Sequence, residues 1–348
     1  PSMRKKDSSV LELKDLSLEN KTSSIYSNFK FQLKNIIKKN TFVVAVSGGP
    51  DSLALSALSQ IYNKEHKNKV LYVLVDHALR KNSAHEALAV KKLLKEKGIS
   101  LTILKNKKKI NKNIQGHART IRYELLLNYC NKHKVKFIMT GHHRDDQIET
   151  FLIRLSRGSG VQGLSAMNKI TKLNNKTNIF RPLLDEKKED LIFLAKSYYG
   201  KVFKDPSNNN QKYLRTKVRN LIKQFEKNGI KRDRIINSIN NLAATRDTLN
   251  SYIQKIEKNC LTKKKNTILI NLKIFFSEKN DIQLKIFSNS IKYISKNYYP
   301  PRAKKVLYLL GRVKAEKELR ATLGGCSVNK RQNNLIISKE NLKNSIKL

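Results

Sequence analysis

The sequence predicts an α/β fold: a doubly wound parallel sheet, followed by a helical domain and a small C-terminal module that contains β-structure. Three observations predict it. Four short, β-favouring apolar runs recur between residues 42 and 143 and alternate with stretches of helical periodicity. A glycine loop joins the first run directly to its helix. Polar clusters follow the runs at their carboxyl ends (SGGPDS, VDHALR and TGHHRDDQIET), which is where ligands sit in such sheets.

The elements follow in order. Residues 1–24 lack the apolar core of a signal peptide and are expected to form a flexible extension. Phe42, Val43, Val44 and Val46 form a nearly continuous apolar run, as in a strand buried on both faces. Leu53, Leu55, Leu58 and Ile61 then recur at helical spacing. VLYVLVD (70–76) is the second strand, and 85–98 is a helix ending on Gly98. ISLTILK (99–105) is the third strand and KNKKKINKN (105–113) a basic loop. Ile114 to His133 is a long amphipathic helix with Ile121, Leu125 and Leu126 on its apolar side. KFIMTGHH (136–143) is the fourth strand running into a polar loop, and 145–157 a further helix. Beyond residue 185 the pattern turns helical: 185–199, 214–228 and 231–257, then a strand TILINLKIF (267–275), helices near 280–296 and 302–315, and a terminal hairpin with a basic turn. The expected division is 1–24 extension, 25–228 α/β domain carrying the polar clusters, 229–300 helical domain and 301–348 terminal module.

Composition narrows the function. The 348 residues carry 72 Lys+Arg against 27 Asp+Glu, a formal net charge of +45. A polyanionic partner is the natural inference. An AT-rich genome enriches Lys, Asn and Ile and accounts for Lys replacing Arg, but not for the shortage of acids. Cys130, Cys260 and Cys326 form no C-x-x-C pair, so neither a zinc site nor a redox dithiol is indicated, and the sparse count fits a reducing cytoplasm. No apolar run approaches the roughly 18 residues of a membrane span.

The loop SGGPDS has the physics of an anion site. Gly48 and Gly49 open the backbone to a ligand, Ser52 opens the helix, and free N–H groups and the helix dipole point outward. The hydroxyls of Ser47 and Ser52 can donate to phosphate oxygens, and Asp51 beside phosphate points to Mg²⁺. No Gly-Lys-Ser/Thr follows, so this is not a Walker loop. In TGHHRDDQIET, Gly141, His142, His143, Asp145, Asp146 and Glu149 crowd the end of a strand and the start of a helix. Their spacing places Asp145 and Glu149 on one face, and such a cluster can hold Mg²⁺ or a cationic substrate, or simply cap the helix. VDHALR contributes Asp76, His77 and Arg80; GHARTIRYE places Arg119 and Arg122 on one face, suited equally to clamping a phosphate or nucleotide and to solvation. RGSGVQGL adds Arg157, and the basic amphipathic helix LRTKVRNLIKQF adds Arg215 and Arg219, facing RNA or solvent.

In this order SGGPDS, VDHALR, GHARTIRY, TGHHRDDQIET, RGSGVQGL, RPLL and DPSN…LRTKVR resemble the tRNA(Ile)-lysidine synthetases, a branch of the ATP-pyrophosphatase-loop superfamily with an adenine-nucleotide α-hydrolase-like sheet. The resemblance covers roughly residues 40–225, and TLGGCSV (322–328) resembles that family's C-terminal module. Where the family commonly has Arg-Asn, this chain has Arg215-Thr216. The resemblance implies that ATP adenylates the wobble cytidine of a CAU-anticodon tRNA(Ile). Free L-lysine then displaces AMP, so that the product tRNA reads AUA and is charged with isoleucine. It implies ATP and pyrophosphate contacts from Ser47, Gly48, Gly49, Pro50, Asp51, Ser52, Asp76, His77 and Gly141, with Asp51 on Mg²⁺. Asp51, Asp145 and Asp146 are its catalytic carboxylates. Arg80, Arg119, Arg122, His142, His143, Glu149, Arg157, Arg215 and Arg219 are its contacts to tRNA or lysine. The expected setting is cytoplasmic, with no membrane partner and with a homodimer as the candidate assembly.

Overall fold

The structure, a computed structural model, describes residues 20–66, 68–78, 82–106, 114–174, 176–203, 214–297 and 300–340. It opens on helix α1 (Asn20–Ile36). Ile25, Phe29, Leu33 and Ile37 recur every fourth residue and are all buried. One apolar stripe therefore docks this helix, each side chain contributing about 1.5–3 kcal/mol on leaving water. Residues 20–24, expected within the extension, belong to α1, while 1–19 lie outside the described residues.

The first sheet contains β1 (Phe42–Val46), β2 (Val70–Asp76), β3 (Leu101–Lys105), β4 (Phe137–Thr140), β5 (Ile170–Lys172) and β6 (Asn178–Phe180). Its order is β3-β2-β1-β4-β6-β5, parallel except for β5, which runs antiparallel to β6 at the edge. The connections are helices α2 (Pro50–His66), α3 (Ser83–Glu96), α4 (Ile114–Lys132), α5 (Arg144–Leu155), the single turn α6 (Val161–Leu164), α7 (Lys188–Tyr199) and α8 (Leu214–Lys227). Along β1 the side chains alternate between two cores. Phe42, Val44 and Val46 join Leu33, Leu53 and Leu194 on one face. Val43 joins Leu126 and Cys130 of α4 on the other. Burial on both faces explains why this strand reads as an uninterrupted apolar run.

The strand order positions the site. From β1 the chain moves outward to β2 and β3, then crosses back to place β4 on the other side of β1. Loops leaving β1 and β4 therefore meet at the carboxyl ends of neighbouring strands, the topological switch point where ligands bind in such sheets. Two of the three polar clusters of the sequence, SGGPDS and TGHHRDDQIET, leave from these two strands.

The remaining elements are α9 (Arg232–Cys260), β7 (Leu261–Lys263), β8 (Thr267–Asn271), α10 (Leu272–Ser277), α11 (Asn280–Ser295), α12 (Ala303–Ala315), β9 (Leu319–Leu323), β10 (Cys326–Arg331) and β11 (Asn334–Lys339). The chain divides into two compact units between Ala243 and Ala244, inside α9. In the second unit an antiparallel sheet of order β7-β8-β11-β10-β9 covers one core built from Ile253 through Ile337. Because β8 pairs with β11, the segments expected to separate at residues 300 and 301 share one sheet. The expected strand 267–275 stops at Asn271, whose side chain accepts from the N–H groups of Lys273 and Ile274 at 3.1 and 3.3 Å and starts α10 instead. The expected terminal hairpin is three strands, β9 to β11.

Candidate active site

The SGGPDS loop is tied together from within. Ser52 Oγ accepts the Ser47 N–H at 3.0 Å, lies 3.1 Å from Ser47 Oγ and donates to Gly49 O at 3.0 Å. Pro50 is the first residue of α2, where its missing N–H costs nothing. The two glycines differ in role. Gly48 has φ +85°, and a Cβ there would lie 2.7 Å from Val90 Cγ2, so both conformation and space demand glycine. A Cβ at Gly49 would meet only Ser47 Oγ, at 3.8 Å. That open side of the loop is where a ligand can come close.

The β4–α5 loop presses on this loop from the neighbouring strand. A Cβ on Gly141 would lie 2.7 Å from Asp51 O, 2.9 Å from Asp51 C and 3.0 Å from Ser52 N. All three are backbone atoms of the phosphate-type loop and cannot swing aside. Gly141→Ala should therefore force the two strand ends apart, destabilising the fold by about 1–3 kcal/mol. The loss of ATP affinity should exceed what that destabilisation alone explains. A thermal melt paired with an ATP-binding titration checks this; unchanged values in both would show that the loops are not in contact.

His143 is the N-cap of α5. Its Nδ1 accepts the Asp145 N–H at 3.2 Å, and its own N–H donates to Asp146 Oδ2 at 3.1 Å, which closes a capping box. Its Nε2 lies 3.5 Å from Asp51 Oδ2 and 3.6 Å from Asp146 Oδ2. The cap uses the Nδ1 lone pair, so Nε2 carries the proton and faces both carboxylates. Burial opposes the imidazolium, but the hydrogen bond to Asp51 and the charges of Asp146, Asp51 and Asp145 outweigh it and raise the pKa of His143. Asp146 is buried, which works against its carboxylate; His143, His142 and the His143 N–H prevail and hold its pKa below the ordinary value. The second oxygen of Asp51, Oδ1, is buried and has no hydrogen-bond partner.

One turn further along α5, Glu149 is buried and accepts from Arg219 Nε at 2.5 Å, with Arg215 Nε 4.0 Å from its other oxygen. That second oxygen, Oε2, has no hydrogen-bond partner. Arg219 also acts electrostatically on Asp146 and Asp51. Asp51, His143, Asp146, Glu149, Arg215 and Arg219 thus form one charged group spanning α2, α5 and α8. Asp145 is turned elsewhere: its Oδ2 takes Arg232 Nη1 at 2.7 Å. Asp145 and Glu149, four residues apart on α5, lie on one face as expected from their spacing, and each is held by an arginine of a different helix. Nor does the cluster hold a metal by itself: among the described residues no group of three His, Cys, Asp or Glu has the geometry to do so.

The other expected residues fall around this group. Asp76 Oδ1 accepts the Ala78 N–H at 2.9 Å and shapes the turn after β2. His77 Nε2 accepts from Arg122 Nε at 3.2 Å, leaving Nδ1 to carry the proton, buried and without a partner. Burial first, then Arg122, push the pKa of His77 down to about 4 against the pull of Asp76, so this histidine is a neutral donor at physiological pH. Arg119 is exposed and lies over the Tyr123 ring at 5.1 Å. His142 Nδ1 is 2.8 Å from Thr140 Oγ1, and burial chiefly pushes its pKa down to about 3. Arg80 lies outside the described residues, as does DPSN. Arg157 is exposed in the turn after α5, and the arginine that organises RGSGVQGL is instead Arg154, whose Nη1 donates to Gly163 O and Ala166 O at 2.8 and 2.7 Å. Arg181 of RPLL is likewise structural: buried, it donates to Asn168 O and Thr171 Oγ1 at 2.7 and 2.8 Å. No local spacing distinguishes Arg154 or Arg181 from a solvated arginine.

Comparison with known proteins follows the same lines. The PP-loop domain family matches residues 19–225. A tRNA(Ile)-lysidine synthase of Wolbachia pipientis wMel is 35% identical over 317 residues, covering 88% of this chain and 73% of that protein. One from Orientia tsutsugamushi (strain Boryong) is 35% identical, covering 85% and 69%. Among solved structures, the U34-tRNA thiolase NcsA from Methanococcus maripaludis with its [4Fe-4S] cluster superposes with a TM-score of 0.55 at 21% identity, covering 64% of this chain and 78% of that one, which is a likeness of fold.

Proposed function

Since the chain belongs to the tRNA(Ile)-lysidine synthase family and carries its PP-loop domain, we propose that it ligates free L-lysine to the wobble cytidine of CAU-anticodon tRNA(Ile) in the cytoplasm, at the expense of ATP. One observation carries the reading: a loop built to seat phosphate meets a pair of carboxylates, Asp51 and Asp146, through the single side chain of His143. In this reading the N–H groups at the start of α2 and the hydroxyls of Ser47 and Ser52 bind the pyrophosphate portion of ATP. His77, neutral with Nδ1–H free, supplies a donor beside the nucleotide, and Arg119 and Arg122 supply positive charge.

The buried, unpartnered Asp51 Oδ1 fits Mg²⁺, with phosphate oxygens and water completing its ligands. Bound there, the ion would neutralise charge developing on the phosphates. Lysine offers an amine of ordinary pKa about 10.4, which must lose a proton to attack. Asp146, held ionised and inside the cluster, is the carboxylate placed to attract or deprotonate it. Glu149 Oε2, buried with an unused lone pair, is a second acceptor for an ammonium group.

Sulfur transfer is the competing reaction on this fold. It needs a reactive thiolate, and burial pushes Cys130 up to about 12 and Cys260 up to about 11, while Cys326 is also raised and buried. Among the described residues no helix is long and apolar enough to cross a membrane.

The deciding experiment follows pyrophosphate and AMP release with labelled ATP, with and without tRNA(Ile) transcript and lysine. Release that needs both, with lysidine found in the digested tRNA, is expected; tRNA-independent turnover would sink the reading. Binding of tRNA should also fall steeply with salt, because a chain of net charge +45 makes several phosphate contacts. Each contact adds about −0.9 to the log–log slope in duplex regions. A filter-binding slope near zero would show that the charge reflects composition alone.

A further inference from the structure

The first turn of α5 is fastened to the first turn of α9 by two crossed ion pairs. Arg144 of α5 donates through Nη2 to Asp233 of α9. Arg232 of α9 donates through Nη1 to Asp145 of α5 at 2.7 Å. The same guanidinium grips Glu226 at the end of α8 with two bonds, Nε at 2.8 Å and Nη2 at 3.1 Å, and lies 3.9 Å from Glu189 of α7. Arg232 thus joins four helices through one planar group, a task that its fork geometry suits and a lysine cannot reproduce.

Stability does not account for this arrangement. Glu226 and Glu189 are 40% and 70% exposed, and the groups line an open cleft of about 550 Å³. Ion pairs to acids as exposed as these contribute little to stability. What they fix is direction. Asp145 and Asp146 are neighbours on a helix, so their side chains leave it about 100° apart. With Asp145 held to Arg232, Asp146 faces His143, Arg215 and the Asp51 loop. Released, Asp145 would be a second mobile carboxylate one residue from the site, competing for any cationic amine. Its N–H would also be less firmly aimed at His143 Nδ1.

We propose that Arg232 is a positioning residue for the ligation reaction: by clamping Asp145 between α8 and α9 it reserves Asp146 for the substrate amine. The inference rests on the functional reading above.

The test uses the full chain with tRNA(Ile) transcript, ATP and lysine. Arg232→Met should lower kcat for lysidine formation by about tenfold to a hundredfold, with KM for ATP within about twofold and the melting temperature within about 2 °C of wild type. Adding Asp145→Asn to Arg232→Met should cost nothing further and should recover part of kcat, since the loose carboxylate is then gone. Arg232→Met at the wild-type rate overturns the proposal. So does an Asp145→Asn effect that simply multiplies with it, or a melting temperature that falls in step with kcat. Should the methionine variant not fold, Arg232→Lys carries the same comparison, because it keeps the charge but loses the bidentate grip. A wild-type protein that makes no lysidine sinks the functional reading before any variant is compared, whereas an active wild type with a fully active Arg232→Met sinks the clamp alone.

Discussion

Asp51→Ala is expected to lower the rate of tRNA adenylation by at least about a thousandfold, equivalent to about 4 kcal/mol of transition-state stabilisation, and to leave the fold intact. The expectation comes from where the carboxylate stands. It is in the first turn of α2, inside the phosphate-type loop, and its Oδ1 is buried without any donor from the protein. An acceptor left unsatisfied inside a fold destabilises it, so its presence calls for a function that uses the lone pair. Removing the side chain gives up one long, weak hydrogen bond to His143 Nε2, at 3.5 Å, so the melting temperature should move little. Release of pyrophosphate from labelled ATP in a single turnover with tRNA measures the effect. A variant that adenylates at the wild-type rate would remove Asp51 from the metal and phosphate roles together. Asp51→Asn is the informative second variant: it keeps the size and one acceptor, and should recover little, because a neutral amide is a poor partner for a divalent cation.

The parts of this molecule that could be read from its sequence are those where one local signal decides the structure. The run Phe42–Val46 is buried on both faces, so burial alone spells the strand, and the glycine with φ +85° spells the turn after it. The misread parts are those where a distant partner decides. β5 and β6 have three residues each and exist because β6 completes the parallel sheet beside β4; no periodicity can show in so short a run. Helix α5 starts one residue earlier than its acids indicate, since its cap is a histidine paired with an aspartate and not the usual hydroxyl and glutamate. Asn271 sits within an apolar run and ends a strand by capping a helix, a switch visible only in its hydrogen bonds. The stripe Ile25, Phe29, Leu33, Ile37 carries the fourfold spacing of a helix, a local signal to which no expected element corresponds.

The site shows the same division. The residue types and their order along the chain marked SGGPDS and GHHRDDQIET as chemistry. Which of two adjacent aspartates points inward depends on Arg232, 87 residues away from Asp145 in sequence, and no spacing rule reaches that far. The same holds for Glu149, whose arginine partner lies 70 residues on. Charge pairing across helices sorts a cluster that sequence alone can only list.

Asp146→Asn should block lysine transfer more severely than adenylation, by about a hundredfold to ten-thousandfold in the second step. The amide is a clean replacement here, because its oxygen can still accept the His143 N–H, now bonded at 3.1 Å, and so preserve the capping box. What disappears is the charge. The carboxylate is ionised in the folded protein: burial opposes this, but His143, His142 and the backbone N–H more than compensate. A neutral amide neither attracts an ammonium group nor takes its proton. If Asp146 serves the second half-reaction, adenylated tRNA accumulates and added lysine fails to discharge it. If it serves the first step with Asp51, to which it is linked through His143 Nε2 at 3.6 and 3.5 Å, no adenylate forms. Single-turnover reactions with ATP labelled in the α-phosphate separate the two outcomes, since the label stays on the tRNA only in the former. Normal lysidine formation would strip Asp146 of both roles and leave it as the helix cap that its hydrogen bond already makes it.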